Sequence, residues 1–226
     1  MGRAADIVFL LDVDNTLLDN DRVQEDLMEH LECEFGRPSR ERYWAILEQL
    51  RSELGYVDYL GALQRYRSAE LAGQRSDPRL LQMSSFLVDY PFARCLYPHA
   101  LEALAHLHAL GQTVILSDGD VVFQPRKIQR SGLWQAVEGR VLIYIHKEQM
   151  LEDVQRRYPA RHYVMVDDKL RILTAMKNSL HERLTTVFVR QGHYALDALN
   201  VARYPAADVT APCIGELLRH HFAGTA

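Results

Sequence analysis

Residues 7–16 read IVFLLDVDNT. Five apolar residues in a row, with no polar alternation, are the pattern of a strand covered on both faces, as in parallel α/β sheets. That strand ends at Asp12, so Asp12, Asp14, Asn15 and Thr16 emerge at its carboxyl end. Open α/β sheets bind their ligands there.

Working outward, residues 113–116, 141–145, 163–166 and 186–189 form similar runs, rich in β-branched or aromatic residues. Helical patterns lie between them at 100–110, 125–131, 148–157 and 170–180; Gly111 and Gly132 close the first two, and Pro159 follows the third. Strands alternating with such helices predict βαβ units and a doubly wound, mainly parallel Rossmann-like α/β sheet of about five core strands. The rhythm breaks once. Between Asp19 and Tyr90 the pattern is helical only: Asn20/Asp21 can cap a helix to Glu34, Pro38-Ser39 opens another ending near Gly55, and 56–71 and 78–88 follow. Leu27, Leu31 and Phe35 fall on one face, as do Ile46, Leu47, Leu50 and Leu54. The expected organisation is an α/β core of residues 1–18 and 92–226 with an all-helical insertion, 19–91.

The length of 226 residues suits one main domain with an insertion. A net charge of −4 gives no electrostatic footprint for nucleic acid. Cys33, Cys95 and Cys213 are odd in number and far apart, which disfavours a disulfide framework and points to a reducing compartment. The early apolar run is too short for a signal segment or a membrane span. The expectation is a cytoplasmic protein with no membrane partner.

The strand ends carry the chemistry. Strand one gives Asp12 and Asp14, strand two Ser117-Asp118-Gly119, strand three His146-Lys147 and strand four Asp167-Asp168. Carboxylates, a hydroxyl and an ammonium converging at one edge suit a hard divalent cation and a phosphate group. The histidines at 106, 108, 220 and 221 lack ligand spacing and read as surface residues. Tyr43, Tyr56, Tyr59, Tyr66, Arg65, Arg67 and Arg75 of the insertion suit an anionic or ring-containing ligand, although an exposed helical arginine is ordinarily a solvated charge. Trp44 and Trp134 read as packing residues.

This order of residues resembles the haloacid dehalogenase-like superfamily, most of whose members are Mg²⁺-dependent phosphatases. Asp12 to Thr16 is similar to its first motif, Ser117 to its second, Lys147 to its third and Asp167-Asp168 to the paired-acid form of its fourth. The helical insertion stands where the family places its type-one cap. The resemblance implies that Asp12 is the nucleophile and forms an aspartyl-phosphate, and that Asp14 is the general acid/base. It further implies that Ser117 and Lys147, with backbone N–H groups near Asn15 and Asp118, bind the phosphoryl oxygens. Mg²⁺ would be held by Asp12, Asp168, Asp167 and the Asp14 backbone carbonyl. The second acid separates phosphatases from dehalogenases, since a halide leaves without a proton and an ester oxygen needs one. A small phosphorylated metabolite is the implied partner, and the chain a monomer or homodimer. A phosphomutase on the same scaffold, or a degenerate binding module, are the alternatives. The sequence departs from the family's commonest pattern in having no carboxylate in Lys169-Leu170-Arg171-Ile172 and Glu148 in place of a proline after Lys147.

Overall fold

A computed structural model describes residues 5–72 and 79–222. β1 (Ala5–Leu11) lies between β2 (Gln112–Asp118) and β4 (Ala160–Asp167). β3 (Val141–Tyr144) flanks β2, while β5 (Leu184–Val189) and β6 (Val209–Ala211) continue beyond β4. All pairings are parallel, in the order β3-β2-β1-β4-β5-β6. Leu11 is level with Ile115 and with Val166. The sheet direction switches between β1 and β4, so the loops leaving them diverge and open a crevice. Successive β1 residues face opposite layers. Ile7, Phe9 and Leu11 join one apolar cluster and Val8 and Leu10 the other, as a strand's two-residue period dictates.

Between β1 and β2 run α1 (Asn20–Phe35), α2 (Arg37–Leu54), α3 (Tyr59–Ala72) and α4 (Arg79–Asp89). Val23, Leu27 and Leu31 of α1 are buried with Tyr43, Leu47 and Leu50 of α2, in the cluster that also holds Phe92 and Phe123. The Tyr43 hydroxyl donates to the Tyr59 carbonyl at 2.8 Å and ties α2 to α3. The remaining helices among the described residues are α5 (Ala100–Leu110), α6 (Phe123–Arg130), the single turn α7 (Leu133–Ala136), α8 (Leu151–Arg157), α9 (Leu170–Leu180), α10 (Gly192–Leu196) and the single turn α11 (Ala198–Val201). No described helix is long and apolar enough to cross a membrane.

Some boundaries differ from the sequence expectation for local reasons. Among the described residues the sheet has six strands rather than about five: β6 is three residues long, too short to carry a period. The helix expected over 148–157 is a 3₁₀ turn, Lys147–Gln149, followed by α8, because His146 adopts φ 61° and reverses the chain before Lys147. α6 starts at Phe123, upstream of Pro125, because Asp120 Oδ1 accepts the N–H groups of Val122 and Phe123 at 2.8 and 2.7 Å. The N-cap residue of α1 is Asp19, one residue before the expected pair; its side chain accepts from the Arg22 N–H at 3.0 Å. Arg75 and Pro78 lie outside the described residues.

Candidate active site

The Asp12 N–H continues the sheet, donating to the Val166 carbonyl at 3.0 Å. The Val13 carbonyl then accepts from the N–H groups of Thr16, Leu17 and Leu18, which folds the chain over the strand end. Asn15 takes φ 63° in this turn, a region that Asn tolerates better than most residues. Its N–H donates to the Leu18 carbonyl at 2.7 Å. The Asn15 side chain caps α1, accepting from the N–H groups of Asn20 and Asp21 at 2.9 and 3.2 Å. The backbone N–H expected to meet a phosphoryl oxygen is therefore engaged within the turn. Gly192, at φ 69°, presses on Asn15; a Cβ there would stand 2.4 Å from the Asn15 Cβ.

Lys147 forms the centre of the floor. Its Nζ lies 2.5 Å from Asp12 Oδ1 and 2.7 Å from Asp167 Oδ2, and donates to the Leu116 carbonyl at 3.2 Å. Its N–H donates to Asp118 Oδ1 at 2.7 Å. The Asp118 carboxylate thus anchors the Lys147 turn, while the following N–H, that of Gly119, is engaged with the Tyr144 carbonyl. Burial works against the Lys147 charge, but Asp12, Asp167 and Asp118 outweigh it and raise its pKa. His146, its sequence neighbour, is left-handed backbone and has no place in this cluster.

Asp12, Asp167 and Asp168 each present a carboxylate oxygen within 4.8 Å of the others. Both oxygens of Asp168 are buried without a hydrogen-bond partner. Burial drives the Asp168 carboxyl well above the ordinary range, and raises Asp167 against the pull of Lys147. Buried anions without partners are costly. An all-oxygen set with an orphaned carboxylate fits a hard divalent cation. Lys169 does not cancel Asp168 by contact; its Nζ stands over the Tyr194 ring, 5.1 Å from the centroid.

The wall of the site comes from α6 and from the start of α1. Lys127, 1% exposed, places Nζ 2.6 Å from Asp14 Oδ1 and 2.9 Å from Asn20 Oδ1. Gln124 Nε2 donates to Ser117 Oγ at 2.9 Å and approaches Asp14 Oδ2 at 3.3 Å. Gly119 leaves room for Gln124, whose Cβ would be 2.8 Å from a Cβ at that position. Asp14 is one-quarter exposed at its side chain and lines a cleft of about 330 Å³ between the sheet edge and the inserted helices. Arg51, Tyr56 and Tyr59 of the insert line the same cleft, opposite Lys169, Arg171 and Tyr194. Arg51 donates to the Tyr194 hydroxyl across it. The Tyr59 hydroxyl is buried and has no hydrogen-bond partner.

The fold thus gathers Asp12, Lys147, Asp167 and Asp168 into one buried cluster, with Asp118 behind Lys147 and Asp14 and Ser117 linked through Gln124. Of the insert's aromatic residues, Tyr56 and Tyr59 reach the cleft, while Tyr43 and Tyr66 belong to the apolar interior. Arg65 pairs with Glu53 at the surface, at 2.6 Å. Trp44 and Trp134 pack against the core. Sequence reasoning missed Lys127 and Gln124. Their signal was present: Gln124, Lys127 and Ile128 fall at i, i+3, i+4, on one helix face.

The model of haloacid dehalogenase-like hydrolases matches residues 8–179. No curated protein matches the chain. Among solved structures, a protein from Burkholderia xenovorans LB400 assigned to the haloacid dehalogenase-like hydrolases is 67% identical, with a TM-score of 0.89 over 96% of this chain and 99% of its own. The L-2-haloacid dehalogenase of Xanthobacter autotrophicus, solved with chloropropionic acid covalently bound, is 18% identical, with a TM-score of 0.60 over 94% and 96%. YfnB of Bacillus subtilis, solved bound to magnesium, is 14% identical, with a TM-score of 0.63 over 96% and 98%. The latter two are similar in fold.

Proposed function

The chain belongs to the haloacid dehalogenase-like hydrolases, and from that premise we propose that it is a Mg²⁺-dependent phosphatase hydrolysing a small phosphomonoester, a phosphorylated metabolite, through a phosphorylated Asp12. The observation that carries this reading is Asp14. It stands two residues beyond Asp12 with its carboxylate at the cleft, where a leaving oxygen would need a proton.

In the first step an Asp12 carboxylate oxygen bonds to phosphorus as the bond from phosphorus to the ester oxygen breaks, and that oxygen takes a proton from Asp14. In the second, water bonds to phosphorus, the Asp12–phosphorus link breaks, and Asp14 receives the water proton. Lys147 holds Asp12 in place and offers charge to the phosphoryl oxygens, to which Ser117, held by Gln124, adds its hydroxyl. Asp12, Asp167, Asp168 and the Asp14 carbonyl would hold Mg²⁺, which when bound offsets the repulsion between carboxylate and phosphate. The insert contributes Tyr56, Tyr59 and Arg51 to the leaving-group side of the cleft, as a cap.

The test is phosphate release from a broad panel of phosphomonoesters by wild type and Asp12→Asn, with Mg²⁺ or with EDTA. Wild type with Mg²⁺ releases phosphate from some of the panel; Asp12→Asn, and wild type in EDTA, release none. Release that survives Asp12→Asn would overturn the reading.

A further inference from the structure

Lys127 is the most buried charged side chain with no part in the motifs that define the site. It lies ten residues beyond Ser117, on the face of α6 turned to the cleft. Its ammonium group has two close oxygen neighbours, Asp14 Oδ1 at 2.6 Å and Asn20 Oδ1 at 2.9 Å, and stands 5.4 Å above the Phe123 ring. Asn20 opens α1, whose first N–H groups are capped by Asn15 of the same loop that carries Asp14. The second oxygen of Asp14 faces Gln124, one helical turn before Lys127, and Gln124 in turn holds Ser117. Asp14 is therefore gripped at both oxygens by α6. The loop after β1 supplies the carboxylate but none of the side chains that orient it.

We propose that Lys127 is the positioning residue of Asp14: with Gln124 it fixes the carboxylate that serves the leaving oxygen, so that leaving-group protonation is controlled from α6. This rests on the phosphatase reading of the site. A group that must deliver a proton within a hydrogen bond's length loses efficiency steeply when its carboxylate can rotate. The loss falls on substrates whose leaving oxygen needs a proton. It spares one that leaves readily as an anion.

The test compares wild type, Lys127→Met, Asp14→Asn and the double variant, with Mg²⁺, on p-nitrophenyl phosphate and on an alkyl phosphate. The readout is kcat/KM, which ends at departure of the leaving group and is blind to the later hydrolysis of Asp12. Lys127→Met is expected to lower the alkyl-to-nitrophenyl ratio by about 100-fold. The double variant is expected to match Asp14→Asn within about threefold, because residues acting through one another are not additive. That second comparison stands even if Lys127→Met folds poorly, since the double variant leaves no unpaired charge. A ratio unchanged by Lys127→Met, or a double variant well below Asp14→Asn, would overturn the proposal while the phosphatase reading stands. Wild type inert on both substrates would overturn the phosphatase reading, and this inference with it.

Discussion

Two lysines each hold an aspartate at this site, and they do so from different parts of the fold. Lys147 sits on the turn after β3, among residues that end strands: Asp12 after β1, Leu116 and Asp118 in β2, Asp167 in β4. Lys127 sits within a helix and reaches Asp14 and Asn20, the first residue of α1. The first pair is shut away, with both side chains 5% exposed or less; the second opens on the cleft through Asp14. The floor of the site is thus a rigid feature of the sheet, while its wall joins sheet, α6 and insert. Changes to the floor should remove chemistry, and changes to the wall should alter which substrates receive it.

The largest expected effect is on the floor. Asp12→Asn removes the proposed nucleophile and is expected to lower kcat by about 10⁴-fold or more in a phosphate-release assay. Substantial residual turnover would mean that phosphorus is attacked by water directly and that the floor is only a binding surface. Lys147→Met comes next. Breaking one partner out of a buried ion pair leaves an uncompensated charge, here on Asp12 and Asp167, at about 3–5 kcal/mol. The expected outcome in thermal and urea melts is a loss of that size, with activity down about 100-fold. Lys127→Met, whose partner is partly solvated, should destabilise less. If the two variants melt alike, the distinction between floor and wall fails.

The same distinction explains what could be read from the chain alone. Asp12, Ser117, Lys147 and Asp167 were legible because each lies at or within a few residues of a strand end, and buried strands announce themselves locally. Lys127 was legible only as a position on the helix face shared with Gln124 and Ile128; its burial depends on Asp14, 113 residues away in the chain, and a lysine on a helix ordinarily faces water. Backbone N–H groups near Asn15 were expected to meet the phosphoryl oxygens; motif position says nothing of turn geometry, and the left-handed turn directs the N–H of Asn15 itself back to Leu18. The sixth strand was hidden by its length. The insert's helices were legible from their apolar spacing, but which of its tyrosines face the cleft was not: Tyr43 and Tyr59 are equally buried, and only the packing separates their roles.

Asp168 gives a smaller and pH-dependent effect. Its carboxyl is raised well above 3.8 by burial, so the folded protein binds a proton that the unfolded chain releases. The stability tied to that proton is complete below the unfolded value and is lost as pH rises through the folded one. Metal-free protein is therefore expected to melt at progressively lower temperature as pH rises above the ordinary carboxylate range. Added Mg²⁺ should raise the melting temperature more at the higher pH, because only the ionised form holds the cation. Asp168→Asn should flatten the pH dependence and weaken Mg²⁺ binding by about 10- to 100-fold, read from the same melts. A Mg²⁺ shift that survives Asp168→Asn unchanged would move the cation elsewhere.

The smallest effect belongs to the wall, at Tyr59. Its hydroxyl is buried at the cleft, with no hydrogen-bond partner. A buried donor left alone costs free energy that a bound ligand can recover. If the leaving group accepts from this hydroxyl, Tyr59→Phe should raise KM by about five- to tenfold, the worth of roughly 1 kcal/mol, and leave kcat within about twofold. It should also cost no stability, because a phenyl ring keeps the contact with Phe123, 5.1 Å away between centroids. A fall in kcat with KM unchanged would instead tie Tyr59 to the transition state, making it part of the machinery that Lys127 and Gln124 arrange around Asp14. Either result assigns the insert a chemical contact with substrate. An unchanged KM and kcat would leave the insert a steric cover, and reduce the wall to α6 alone.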